Sequence, residues 1–232
     1  MEVKATINPR TRQVEYPRVE RFGKAARIAH WGHTITFLTL LLTGLLLFAP
    51  KAFGWVGPAF LGANNAGLVH RIMAVFYTII PLVCLAMNPR GFVEWWKDVF
   101  SFSKRDIEFI MKFPLEFFGF PVKMPPQTQF NGGEKMNSVV TTTSCVLLAI
   151  SGYIMWFPEY FPIGLVRWMP ALHDVCMIIA TTMVCMHAYL GSFHPGSGES
   201  FWGMWKGTVR ADWAAHHHPL WYEKVTGEKV EH

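Results

Sequence analysis

Nowhere in the 232 residues do two cysteines stand in a C-x-x-C pair. The chain therefore shows no ligand set for a zinc site or an iron–sulfur cluster of its own. Its four cysteines, Cys84, Cys145, Cys176 and Cys185, all fall inside apolar runs, where cysteine serves as a small apolar residue. Charge is scarce, at 16% of residues, and acids are outnumbered by bases, 16 to 21. No internal repeat is visible. The bases form no single patch, which argues against a nucleic-acid partner.

What fills the space is apolar. Hydrophobic residues make up 51% of the chain and aromatics 15%. Four runs reach the ~20 residues that cross a bilayer, at about 26–48, 67–87, 137–157 and 171–193. The first begins well inside the chain, is too long for a signal peptide and has no small-x-small cleavage site after it. The expected fold is an all-α integral membrane protein, a four-helix bundle. It divides into an N-terminal arm (1–22, polar and flexible until a partner binds), a membrane domain (23–197) and a polar C-terminal tail (198–232). Residues 91–112 mix aromatics with charges and are expected to form amphipathic helices at the membrane surface, with Trp95 and Trp96 at headgroup level.

The bases alternate with the runs. Seven precede or open the first (Lys4, Arg10, Arg12, Arg18, Arg21, Lys24, Arg27) and seven lie between the second and third (Arg90, Lys97, Lys104, Arg105, Lys112, Lys123, Lys135). The other two loops carry only Lys51 and Arg167, and the tail carries Lys206, Arg210, Lys224 and Lys229. The positive-inside rule then puts both termini and the 2–3 loop in the cytoplasm of a multi-pass inner-membrane protein.

Histidines in such runs are costly unless something holds them. His173 and His187 lie 14 residues apart in the fourth run, within about 40° of one helix face and about 21 Å apart along it. With the topology above, His30 and His33 share the depth of His187, and His70 shares that of His173. Two layers of histidines on different helices suit bis-histidine ligation of two b haems inside a bundle. Geometry does not choose between His30 and His33, which lie one turn apart. Gly44, 14 residues after His30, reaches the outer layer, where a missing side chain gives a porphyrin room or serves ordinary helix packing. No C-x-x-C-H occurs, so covalent haem attachment is not indicated. Arg71 and Arg27 stand beside candidate ligands and could pair with propionates; for Arg27, positive-inside anchoring is the equal alternative. Asp174 could bind Arg71, a propionate or a partner. His194, before a proline, is expected in water. The triplet His216–His218 is read as part of a solvated or partner-docking tail.

These residues resemble the membrane cytochrome b (gamma) subunit of respiratory formate dehydrogenases. The resemblance rests on 27-RIAHW-31, His70, the H-x13-H of the fourth run, 130-FNGGEK-135 and 213-WAAHHHPLWYEK-224, and covers roughly residues 20–224. Related subunits serve nickel–iron hydrogenases and other molybdenum oxidoreductases. The resemblance implies His30 rather than His33, an inner haem on His30 and His187, and an outer haem on His70 and His173. It also implies a menaquinone or ubiquinone site near the inner haem with Asn131, Gly133 and His187. Glu134 stands where Gln is common and is read as a solvated loop acid or a proton carrier. The partners implied are an iron–sulfur (beta) subunit at the outer face and a molybdenum or tungsten catalytic (alpha) subunit, in a complex that could be a higher oligomer. The outward loops are short, so chemistry on the primary donor falls to those partners.

Overall fold

The computed structural model describes residues 6–7 and 14–230. Four helices are long and apolar enough to cross a membrane: Lys24–Phe48, Ala63–Met87, Gly132–Trp156 and the stretch Ile163–Phe193. They are the four expected runs, each beginning earlier than expected, by two residues in the first and by about a turn or more in the others. The fourth is interrupted near Arg167, where a short turn Ile163–Val166 precedes the helix Met169–Ala188. Only 22% or 11% of each apolar window is buried within the protein. Leu, Ile and Val point outward all round, as lipid-facing helices require, because hydrocarbon outside is as apolar as the interior. The hydroxyls in these helices are returned to the backbone one turn earlier: Thr34 to His30, Thr36 to Gly32, Thr39 to Ile35, Thr78 to Ala74 and Thr182 to Ile178. In a medium without water that is the least costly partner for a hydroxyl.

Two compact units emerge. One comprises Ala25–Pro89 and Val140–Val184, and holds most of the long helices. Its centre is a buried cluster of Phe37, Tyr77, Cys145 and Ala180, with Leu40, Leu41, Leu148 and Val184 packed on it. The other comprises the N-terminal residues to Lys24, Arg90–Val139 and Cys185 to the C-terminus.

In that second unit the loop expected at the membrane surface forms two helices, Pro89–Val99 and Lys104–Phe117. The second starts on a capping box, with the Asp106 carboxylate accepting from Ser103 N–H at 2.7 Å. The arm and tail, expected as polar segments, carry secondary structure of their own. Strand Arg18–Glu20 pairs antiparallel with strand Thr208–Arg210, Val19 opposite Val209. The tail folds into helices Gly198–Lys206, Ala211–His217 and Pro219–Thr226. Its small residues let them close on a core of their own, Val209, Ala211, Ala214, Ala215, Trp221 and Tyr222, joined by Val19 from the arm. Flexibility of residues 1–5 and 8–13 lies outside the described residues.

Candidate functional site

In the first unit the structure brings His70 of the second long helix and His173 of the fourth together, with ring centroids 6.5 Å apart and planes 56° apart. Each ring is anchored the same way. Thr43 Oγ1 lies 2.9 Å from His70 Nδ1, and Ser151 Oγ lies 2.9 Å from His173 Nδ1. Both hydroxyl residues are fully buried. Each hydroxyl also sits within 2.8 Å or less of the carbonyl one turn back, Thr39 or Leu147, to which it donates its single proton. Its oxygen then accepts from the imidazole, so Nδ1 carries the ring's proton and Nε2 keeps a lone pair. Beside each hydroxyl is a glycine. A methyl group on Gly44 would stand 3.4 Å from His70 Cε1, and one on Gly152 would stand 3.4 Å from His173 Cε1.

Two neighbouring imidazoles on different helices, each with Nδ1 taken up by a hydroxyl, leave Nε2 as the nitrogen each could offer to a metal ion. An imidazole nitrogen sits about 2.0–2.1 Å from a bound transition metal. A ring atom lies about 1.1–1.2 Å from the centroid of a five-membered ring with bonds of ~1.33 Å. Two rings sharing one ion in line therefore have centroids about 6.3 Å apart, which the observed 6.5 Å matches. The pair lines a largely apolar cleft of about 130 Å³, with Phe37, Leu41, Gly44, Phe48, Leu148, Gly152 and Met177 among its walls. An apolar slot between two such rings suits a flat, greasy macrocycle. Among the described residues, no group of three or more His, Cys, Asp or Glu could hold a bare metal ion.

The rim of the cleft carries charge. Arg71 is exposed, and its guanidinium stands 6.0 Å from the Trp156 ring centroid; Asp174 lines the same cleft. Tyr153 and Thr78 share a hydrogen bond at 2.9 Å that ties the second and third long helices.

His33 is committed elsewhere in the same unit. Its ring stacks on Tyr77 at 4.2 Å, and Nε2 lies 3.6 Å from Cys145 Sγ. His30, one turn earlier, meets the Trp31 ring edge-on at 5.1 Å. His187 lies in the last turn of Met169–Ala188, just before a π-helical turn Tyr189–Phe193. His30 and His187 belong to different units and are described within each.

In the second unit FNGGEK has a local purpose that the sequence reading did not give it. Asn131 Oδ1 accepts from Glu134 N–H, and the Glu134 carboxylate accepts from Asn131 N–H, both at 2.9 Å. This reciprocal cap closes the start of the third long helix. Glu134 is not a solvated loop acid: it is half-buried and ion-paired with Arg21 at 3.1 Å, and the Arg21 side chain is 1% exposed. Gly132 rather than Gly133 is the constrained glycine. A methyl group on Gly132 would fall 2.2 Å from the Asp106 carbonyl oxygen, while one on Gly133 would meet the Asn131 side chain at 3.3 Å. Lys135 is buried between Asp98 at 3.1 Å and Asp106 at 3.2 Å.

His194 is not in water either. It is half-buried and stacks on Phe117 at 5.3 Å, with Phe113 and Tyr189 nearby. The histidine triplet splits. His216 and His217 are exposed, His217 stacking on Trp213 at 4.8 Å, and His218 is buried, its Nδ1–H donating to the Thr128 carbonyl at 2.8 Å. Burial and the nearby Arg21 push His218 down to about 3.

Thr43, Ser151 and Gly152 were missed in the sequence reading. Their signal was present as L-x-x-[ST]-G, once at 40–44 in the first long helix and once at 148–152 in the third. A hydroxyl followed by glycine at matching depth in two spans marks two places where a ring can lie against a helix.

A family model described as Prokaryotic cytochrome b561 matches residues 21–207. The chain is 29% identical over 208 residues to the nitrate-inducible formate dehydrogenase cytochrome b556(Fdn) subunit of Escherichia coli K12, covering 88% of this chain and 89% of that one. It is 27% identical over 223 residues to the formate dehydrogenase cytochrome b556 subunit of Haemophilus influenzae, covering 92% and 86%. A shorter match, 27% over 124 residues, is to the F420 non-reducing hydrogenase II cytochrome subunit of Methanosarcina mazei, covering 50% and 42%.

Proposed function

The chain belongs to the prokaryotic cytochrome b561 family, and from that premise we propose that it is the di-haem membrane subunit of a formate dehydrogenase-type complex, linking an outer-face iron–sulfur partner to a quinone on the cytoplasmic side. The family implies haem b. The observation that carries the reading is the pair His70 and His173, with ring centroids 6.5 Å apart and each Nδ1 engaged by a buried hydroxyl.

A bound haem b supplies one-electron exchange at its iron. His70 and His173 would hold the outer haem through their imidazole nitrogens, and the apolar walls from Phe37 to Met177 would keep water from it. Arg71 at the rim offers a cation to a carboxylate, with Trp156 beneath it. His30 and His187 are assigned to the inner group. The resemblance to formate dehydrogenase cytochrome b subunits favours His30, and the engagement of His33 with Tyr77 and Cys145 is consistent with that choice. Each negative charge moved inward across the field costs about 2.3 kcal/mol per 100 mV, so downhill electron flow is stored as potential. Asn131 spends its carbonyl on the helix cap and keeps its amide N–H groups for a quinone oxygen.

Asn131→Asp tests the quinone assignment. It keeps the cap and removes the amide donor. Both haems are expected to bind and to be reduced by the partner subunits, while reoxidation by quinone slows. Normal reoxidation in this variant removes Asn131 from the quinone site. The match to a hydrogenase cytochrome supports a second reading, in which the donor complex is a hydrogenase. Purifying the complex and identifying the catalytic subunit separates the two. A chain without α bands on reduction would instead be a haem-free transporter or structural anchor.

A further inference from the structure

Thr43 and Ser151 are related by position and by contact. Each is the fourth residue of an L-x-x-[ST]-G stretch, on different helices, and each faces a different histidine. Both hydroxyls are buried, both return their proton to the carbonyl a turn back, and both stand 2.9 Å from an imidazole Nδ1. The following glycine lets the ring lie close to the helix backbone in each case.

From this geometry we infer that Thr43 and Ser151 are positioning residues for the outer haem, holding His70 and His173 in the Nδ1–H tautomer, fixing the 56° between their planes and lowering the haem's potential. The inference rests on the reading above that these two histidines bind haem. An Nδ1–H that gives part of its proton to an oxygen makes Nε2 a stronger donor to iron. That favours the ferric state. Removing the acceptor oxygen weakens the donor and raises the potential. Removing it also frees the ring to turn about its Cβ–Cγ bond, which changes the angle between the two ligand planes.

The experiment uses the full chain with its partner subunits, solubilised in detergent. Thr43→Val and Ser151→Ala delete the oxygens; Thr43→Ser and Ser151→Thr keep them. Redox titration and low-temperature electron paramagnetic resonance of the oxidised protein are read together with haem content. In each deletion variant the outer haem's midpoint is expected to move to higher potential and its low-spin g values to shift, with haem affinity reduced about 10–100-fold. The inner haem's signal should stay in place, and the conservative variants should keep wild-type values. Unchanged potential and g values in both deletion variants would overturn the inference. So would equal changes in the conservative and deletion variants, since packing rather than the hydroxyl would then be responsible. Full haem content and an unaltered outer signal in His70→Ala would instead bring down the reading beneath it.

Discussion

Gly132→Ala should be far more damaging than Gly133→Ala, although the two glycines are adjacent. A methyl group on Gly132 would lie 2.2 Å from the Asp106 carbonyl oxygen, 2.9 Å from its carbonyl carbon and 3.0 Å from its Cα. Non-bonded heavy atoms settle at about 3.5–4.0 Å, so more than about 1 Å of separation must be found. The obstacle is helix backbone, which cannot swing aside as a side chain can. Gly132 N–H also donates to Gln127 Oε1 at 2.9 Å, which pins the residue from the other side. Relief would move the helix Lys104–Phe117 or unwind the first turn of the third long helix. Either movement disturbs the Asp106–Lys135 pair and the Asn131–Glu134 cap. Overpacking of this kind costs about 1–3 kcal/mol, and backbone contact argues for the upper end. On a scale of about 2–4 °C per kcal/mol, the thermal midpoint should fall by roughly 6–12 °C. At Gly133 the neighbours are the Asn131 carboxamide at 3.3 Å and the Phe109 ring edge at 3.6 Å, both able to give. Thermal unfolding of the two variants in the same detergent, followed by near-UV circular dichroism, makes the comparison. Equal midpoints would refute the close approach and the reasoning built on it.

Stability should depend on pH in a window set by the buried His218. The folded state holds it neutral down to about 3, whereas in the unfolded chain it takes up a proton near 6.5. Its contribution is fully present above about 6.5 and is lost as pH falls toward 3. Burial works against the Asp106 carboxylate, but the Ser103 N–H and hydroxyl and the Lys135 ammonium hold it below the usual range. Its contribution is present above about 3.9 and is lost only at lower pH. Hydrogen-exchange protection of residues 208–226, corrected for the pH dependence of intrinsic exchange, should therefore fall between pH 6.5 and 4, and His218→Gln should flatten that slope; an unchanged slope would assign it elsewhere. Reporters fused after Lys112 or at His232 should read cytoplasmic and one near Gly57 outside; a cytoplasmic reading at Gly57 would reverse the proposed direction of electron flow.

The long helices were legible because hydropathy and length suffice to define a span, and lipid leaves few alternatives for the backbone. The shared level of His70 and His173 followed from counting residues along those helices. What held the histidines was harder to see. Thr43 and Ser151 look like ordinary small residues of a membrane helix until His70 and His173 are placed beside them. FNGGEK was read through its resemblance as a ligand loop, although N-x-x-E before an apolar run is itself a helix-start signal. That local reading would have found the Asn131–Glu134 cap, but not Arg21, which reaches Glu134 from 113 residues away. The pairing of Arg18–Glu20 with Thr208–Arg210 had no sequence signal at all, since each strand has three residues and neither alternates strongly. His194 was assigned to water from its proline neighbour alone. Its aromatic surroundings come from Lys104–Phe117, about 80 residues earlier in sequence.

The central claim is that His70 and His173 share one haem. The most direct measurement is the reduced-minus-oxidised spectrum, with haem quantified per chain, of the wild type beside His70→Ala and His173→Ala. The wild type should show the sharp α bands of two low-spin b haems, and each variant should lose the same one of them. Wild-type haem content in either variant, or loss of a different component in each, would contradict the pairing.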